Sequence, residues 1–181
     1  MAHRALAEHA LSRADTELDD AYRDVRVKVG KGAAHARTVA RVLRDAGCPE
    51  TVQVAGLLHD VVEDTDHTVA DVRRRFGATV AGLVAAVTED DTIRDYRARK
   101  GALRAQIAAA GPEAIDIALA DKVATLTHAL ASGTRVPRRK LAHYEATIAL
   151  APGAAHPALG AAAGELLTAA IAARDTADAR R

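Results

Sequence analysis

The apolar positions of this chain are filled almost wholly by aliphatic side chains, many of them alanine, and that choice restricts the fold more than any other feature. Hydrophobic residues make up 49% of the 181 residues, yet aromatics make up only 2%, with no Trp, one Phe and three Tyr. A core of Ala, Val and Leu must be packed closely by its elements. Alanine is the strongest helix former, and the apolar spacing is helical, with no alternating strand pattern. The expected fold is all-α. The length fits one domain, at roughly 100–200 residues per domain, so residues 1–181 are read as a single unit.

Glycine and proline punctuate the helices. Residues 4–24 read as a polar amphipathic helix, and Val29-Gly30-Lys31-Gly32 as a break. From His35 the series His35, Val39, Val42, Leu43 marks one helical face, capped by Gly47. Pro49 opens a helix over about 49–63 that is apolar nearly all round and so is expected to be central. Thr68-Val69-Ala70-Asp71 resembles a capping box before a short helix ending at Phe76-Gly77. Another apolar helix spans 78–87, and a charged segment around 94–104 leads into one stopped by Gly111. Pro112 starts a long helix to about Leu130, and two more cover 137–150 and 157–174, followed by a tail expected to fray.

Composition removes several function classes. Lys and Arg number 25 against 24 Asp and Glu, a net charge of +1, which argues against nucleic acid or an anionic membrane as partner. Four aromatic residues cannot build a base-stacking platform. The single cysteine, Cys48, excludes an intramolecular disulfide and a cysteine-based zinc knuckle, and suits a reducing cytoplasm. No secretory signal opens the sequence, and no apolar run approaches the ~18 residues of a membrane span.

The informative segment is Leu57-Leu58-His59-Asp60-Val61-Val62-Glu63-Asp64-Thr65, where four ionisable groups interrupt the most hydrophobic helix. Their spacing puts them on one broad helix face. Buried carboxylates and imidazoles are costly unless paired or bound to metal. Taken alone, His59 and Asp60 could be an ion pair, and Glu63 and Asp64 a solvated helix end. Two other helices offer matching groups. His35 faces inward with Val39 and Val42, and Asp121 interrupts Ile117-Ala118-Leu119-Ala120-Asp121-Lys122-Val123. A backbone-satisfied histidine and an Asp121–Lys122 ion pair are the plainer readings. Together the groups make a mixed nitrogen–oxygen site suited to Mn²⁺, Fe²⁺ or Zn²⁺.

His35, His59-Asp60 and Asp121, in that order, resemble the signature of the HD superfamily of metal-dependent phosphohydrolases. The nine-residue motif with its Glu-Asp pair resembles the Rel/Spo-type alarmone hydrolase domain and its small stand-alone relatives. The similarity runs through Phe76-Gly77, Val87-Thr88-Glu89-Asp90, Arg97-Ala98-Arg99-Lys100 and Leu119-Ala120-Asp121-Lys122, over most of residues 24–130. It implies a compact HD-domain helical bundle with core 24–130 and C-terminal helices 137–174. It implies one Mn²⁺-like ion on His35, His59, Asp60 and Asp121, and catalysis by Glu63 and Asp64. The implied reaction is removal of the 3′-pyrophosphate from guanosine tetra- or pentaphosphate. Arg26 falls where the bacterial bifunctional enzymes place a guanine-packing arginine, and Lys28, Lys31 and Lys122 are further candidates for the phosphates. The family's tyrosine and prolines around the first histidine are absent. Thr125 replaces an asparagine that contacts substrate, and His128 replaces a threonine. These changes leave open another nucleotide substrate, such as a nucleoside monophosphate or dinucleotide phosphate. A non-catalytic nucleotide sensor is a third reading, and a homo-oligomer is compatible with the sequence.

Overall fold

The computed structural model describes residues 2–26 and 31–179. Among the described residues the regular structure is helical and no strand is present. The order is α1 (Ala2–Tyr22), α2 (Ala33–Asp45), α3 (Glu50–Leu58), α4 (Val61–Asp64), α5 (Val69–Val87), α6 (Tyr96–Ala110), α7 (Pro112–Ala131), α8 (Arg138–Ile148) and α9 (Pro157–Ala179), with a 3₁₀ turn at Ala151–Gly153. Among the described residues no helix is long and apolar enough to cross a membrane.

The site is positioned by the packing of α2, α3 and α7. Helix α7 packs against α2, α3, α5, α6, α8 and α9. Its run from Ala114 to Ala120 is buried without interruption, as a helix enclosed on every side requires. Helix α2 buries His35, Val39 and Leu43 of the face expected from the apolar spacing, together with Ala36, and leaves Val42 half-buried. Close approach of α2 and α3 depends on Gly56, where a Cβ would overlap Leu43 Cδ1. Leu43, Leu58, Ile117 and Leu119 are fully enclosed at this junction, each such burial contributing about 1.5–3 kcal/mol. A second, smaller core of Leu126, Val136, Leu141, Tyr144 and Leu167 ties α8 and α9 to the end of α7.

The capping box at α5 is present: Thr68 Oγ1 accepts the Asp71 N–H at 3.2 Å, and Asp71 Oδ2 accepts the Thr68 N–H at 2.8 Å. The two helices expected on either side of Gly77 run into one, kinked where Gly77 adopts φ 88°. The tail does not fray within the described residues. Helix α9 continues to Ala179 because Arg174 donates to the Val136 carbonyl at 2.9 Å, and Asp178 pairs with Arg135 and Arg174.

The single helix expected over 49–63 is broken. It ends at Leu58, turns at His59 and Asp60, and restarts as α4. The Gly56 carbonyl, which an unbroken helix offers to the Asp60 N–H, takes the His59 Nδ1–H at 2.8 Å. Asp60, at φ −93° and ψ −6°, becomes the cap of α4, its carbonyl accepting the Glu63 and Asp64 N–H groups.

Candidate functional site

His35 sits in the first turn of α2, His59 in the α3–α4 break and Asp121 in the middle of α7. One donor atom from each lies within 4.8 Å of the others. His35 Nε2 is 2.9 Å from Asp121 Oδ1, and the two imidazole rings are 5.5 Å apart. The His59 ring is enclosed, and its Nδ1–H is committed to the Gly56 carbonyl. That bond leaves the lone pair on Nε2, the usual arrangement of a metal-ligating histidine. Nε2 has no hydrogen-bond partner: Asp60 Oδ1 lies 3.1 Å away, out of hydrogen-bond geometry. A buried imidazole nitrogen without a partner, beside two carboxylates and a second imidazole, fits a divalent cation.

Electrostatics supports the same fit. Burial would push the His59 imidazole down, but Asp60 and Asp121 override it and raise it to about 9. Burial would raise Asp121, but Lys122, His35 and Lys31 hold it well below the usual carboxylate range. Asp60 is likewise lowered against its burial by His59 and Lys31. Both carboxylates are therefore ionised, and the field that favours a proton on His59 favours a cation in its place. Lys31 Nζ pairs with Asp60 Oδ2 at 2.8 Å, and Lys122 Nζ pairs with Asp121 Oδ2. The Asp121–Lys122 pair read from the sequence is real, and Asp121 still faces His35 through its other oxygen.

The centre opens on a cavity of about 410 Å³. Its wall carries Lys31, Arg99, Lys100, Lys122, Arg135 and Lys140 against Asp60, Glu63, Glu89 and Asp121, a cationic excess suited to phosphates. Glu63 lines it, with Oε1 accepting the Glu89 N–H at 2.6 Å. Burial against the cavity wall, with repulsion from Asp60 and Glu89, raises the Glu63 carboxyl to about 7. Asp64 does not line the cavity. It turns toward α1, where Tyr22 Oη donates to Oδ2 at 2.9 Å.

The other sequence-derived positions divide. Lys122, Thr125 and His128 line the cavity, and Thr125 Oγ1 donates to Asp121 Oδ1 at 3.2 Å. Arg26 is exposed and is not among the lining residues. Lys28 lies outside the described residues. Sequence reasoning missed the far wall. Tyr96 and Lys100 come from α6, with Lys100 Nζ 5.9 Å from the Tyr96 ring. His143 and Tyr144 come from α8, where the Tyr144 ring sits 5.2 Å from Lys122 Nζ. Burial, with Lys122 and Lys100 nearby, lowers the His143 imidazole to about 3. Arg104 donates to its Nδ1 at 3.0 Å, so the ring is neutral and carries its hydrogen on Nε2. Helical periodicity could place these side chains on inward faces, but not against this cavity.

Residues 19–148 match the family described as HD domain. The chain belongs to the HD-domain family. Within that family, it is 43% identical over 94 residues to human guanosine-3′,5′-bis(diphosphate) 3′-pyrophosphohydrolase MESH1, covering 51% of this chain and 52% of that protein. The Drosophila melanogaster protein of the same name is 40% identical over the same shares. The chain thus spans about half the length of these curated relatives. Among solved structures, a metazoan SpoT ortholog described as hydrolysing ppGpp superposes with TM-score 0.73 at 26% identity, over 88% of this chain and 94% of that one. A Listeria monocytogenes protein superposes with TM-score 0.65 at 33% identity, over 74% and 90% of the two chains.

Proposed function

We propose that this HD-domain chain is a metal-dependent phosphohydrolase that removes the 3′-pyrophosphate of guanosine tetra- or pentaphosphate. The observation that carries the reading is the convergence of His35, His59 and Asp121 beside a cavity lined by Glu63 and six Lys and Arg side chains. The names of the MESH1 relatives and the SpoT ortholog point to that substrate. His35, His59, Asp60 and Asp121 would hold one divalent ion, with Mn²⁺ our assignment for this mixed imidazole and carboxylate donor set and Fe²⁺ or Zn²⁺ as alternatives. When bound, such an ion acidifies water and polarises a phosphoryl oxygen.

The chain's own residues supply the rest. Glu63, in the wall three residues beyond Asp60, accepts the proton of the attacking water. Asp64, fixed by Tyr22, holds the α4 turn that carries Glu63 and adds negative charge behind the site. Lys100, Lys122 and Lys31 neutralise the phosphates, and Tyr96 and Tyr144 offer ring faces to a base. The water oxygen adds to the phosphorus next to the ribose 3′ oxygen, that P–O bond breaks, and the 3′ oxygen takes up a proton, which releases pyrophosphate with the nucleoside 5′-diphosphate from the tetraphosphate or the 5′-triphosphate from the pentaphosphate. The reaction suits a compartment where nucleotides are made, and we assign the protein to the cytoplasm.

A second reading keeps the chemistry and changes the substrate. Thr125 and His128 both line the cavity in place of the asparagine and threonine expected from the family resemblance. Incubation with Mn²⁺ and a panel of alarmone, nucleoside monophosphates and dinucleotide phosphates, with the released phosphate or pyrophosphate identified, tests both. Pyrophosphate from the alarmone supports the first reading. Efficient turnover of another nucleotide supports the second, and binding without any product overturns both in favour of a sensor.

A further inference from the structure

A second constellation of metal-type donors lies away from the cavity. Cys48, Asp116 and His156 each present one donor atom, all within 4.8 Å of one another. They come from three elements far apart in sequence: the α2–α3 turn, the first turns of α7, and the loop between the 3₁₀ turn and α9. None of them lines the cavity. Asp116 is five residues before Asp121, which on a helix is about 140° around and about 7.5 Å along the axis, so the two carboxylates look to different sides of α7.

We propose that Cys48, Asp116 and His156 form a second divalent-metal site, of zinc type, which fastens the α9 corner to α7 and the α2–α3 turn. The geometry is close to that of a three-ligand site. His156 Nδ1 is 2.7 Å from Asp116 Oδ2 and 3.4 Å from Cys48 Sγ, and Sγ is 4.0 Å from Asp116 Oδ2. Tetrahedral zinc, with bonds of about 2.3 Å to sulfur and about 2.0–2.2 Å to nitrogen and oxygen, needs donor separations of about 3.3–3.6 Å. The sulfur–nitrogen edge already matches. The nitrogen–oxygen edge must open by about 0.7 Å and the sulfur–oxygen edge close by about 0.4 Å, which the Asp116 oxygen reaches by moving about 1 Å as its carboxylate swings on a fixed backbone.

The surroundings also fit. Asp116 is fully enclosed in an apolar stretch of α7, and Cys48 is buried. The Asp116 carboxylate is held in place by the His156 N–H, which donates to Oδ1 at 3.1 Å, and so is aimed before any ion arrives. His156 is half-buried, so one side of the cluster meets solvent, from which a fourth ligand would come. Soft sulfur with imidazole favours zinc over the harder ions assigned to the sulfur-free HD centre. Burial beside Asp116 pushes the thiol up to about 11, so binding an ion would displace its proton.

The chain's single cysteine makes the test specific, because a thiolate-to-cobalt charge-transfer band can arise only at Cys48. The full-length chain, demetallated and kept under a phosphine reductant, is titrated with Co²⁺. The expected result is that band in the near ultraviolet, saturating at one ion per thiol. It should be lost in both Cys48→Ser and His156→Ala, while Zn²⁺ raises the melting temperature more in wild type than in either variant. His156→Ala removes a half-exposed ring and keeps the cysteine, so it decides the matter if Cys48→Ser fails to fold. No band at saturating Co²⁺ overturns the proposal, and so does a band unchanged in His156→Ala. Hydrolysis is assayed alongside, and its loss or survival reports on the HD centre, not on this one.

Discussion

Replacing Glu63 by Gln separates proton transfer from everything else the residue does. The substitution keeps the shape and keeps an oxygen to accept the Glu89 N–H, now 2.6 Å from Oε1. It removes the only feature a general base needs, the ability to take a proton. A positioned base contributes about 10²–10⁴-fold, so kcat is expected to fall at least ~10²-fold, or about 2.7 kcal/mol of barrier. Metal occupancy should stay near that of wild type, because Glu63 is not among the converging donors. Stability gives an independent check. In the metal-free fold the carboxyl moves from its ordinary 4.5 to about 7. Its folded value is thus raised, the folded state binds the extra proton between those limits, and stability falls as pH rises across them. In full the shift corresponds to about 3 kcal/mol, but Glu63 is exposed at the cavity wall and screening reduces it to about 1 kcal/mol. Metal-free E63Q should therefore be as stable as wild type near pH 4.5 and more stable by about 1 kcal/mol above pH 7. Single-turnover rates, metal analysis and urea melts at several pH values read all three. Full activity in E63Q would refute the assignment of Glu63 as the base and leave it a cavity-wall residue.

Chelation should abolish turnover and lower the melting temperature, and Asp121→Asn should weaken metal uptake in isothermal titration because it removes a charged ligand of the same shape. Lys100→Ala should raise KM for guanosine tetraphosphate, since Lys100 lines the cavity, whereas Arg26→Ala should have the smaller effect, since Arg26 does not. Thr125→Asn should move the kcat/KM ratio of alarmone to competing nucleotides towards the alarmone, and an unmoved ratio would remove Thr125 from the specificity pocket. Gly77→Ala should destabilise by about 1–3 kcal/mol in urea unfolding without changing kcat, because φ 88° and ψ 174° is glycine territory and a Cβ there meets nothing within 4 Å.

The boundaries that were legible in the sequence were those written in local chemistry. Gly47, Gly77 and Gly111 adopt positive φ, and Thr68 with Asp71 forms its box, because each effect acts within a few residues. The inward stripe of α2 was legible because burial follows the helical period, and His35 was carried in with it. What stayed hidden depends on partners distant in sequence. Asp116 is a charge in an apolar helix just as Asp121 is, yet only the fold brings His156, forty residues later, to meet it. The end of α9 reads as a polar tail until Asp178 is seen to pair with Arg135 and Arg174. The cavity's far wall was hidden for the same reason, since Tyr96 and Tyr144 reach it from different helices.

The broken helix at His59 and Asp60 is the most informative of these differences. On a continuous helix, adjacent side chains diverge by about 100°, so neighbouring residues do not face each other. Here His59 Nε2 and Asp60 Oδ1 are 3.1 Å apart, and both residues border the same cavity. The backbone keeps helical dihedrals at His59, φ −58° and ψ −38°, and relaxes at Asp60 to φ −93° and ψ −6°, where the chain turns between α3 and α4. The turn is held by the His59 ring on the Gly56 carbonyl, the same bond that commits Nδ1 and leaves Nε2 facing the centre. One hydrogen bond thus takes the carbonyl that a continuous helix would use and aims the other ring nitrogen. Helix α4 then restarts from the Asp60 carbonyl, and its first turn carries Glu63 to the cavity wall. The sequence spacing of His59, Asp60 and Glu63 does place them together, but through a turn and a new helix rather than along one face.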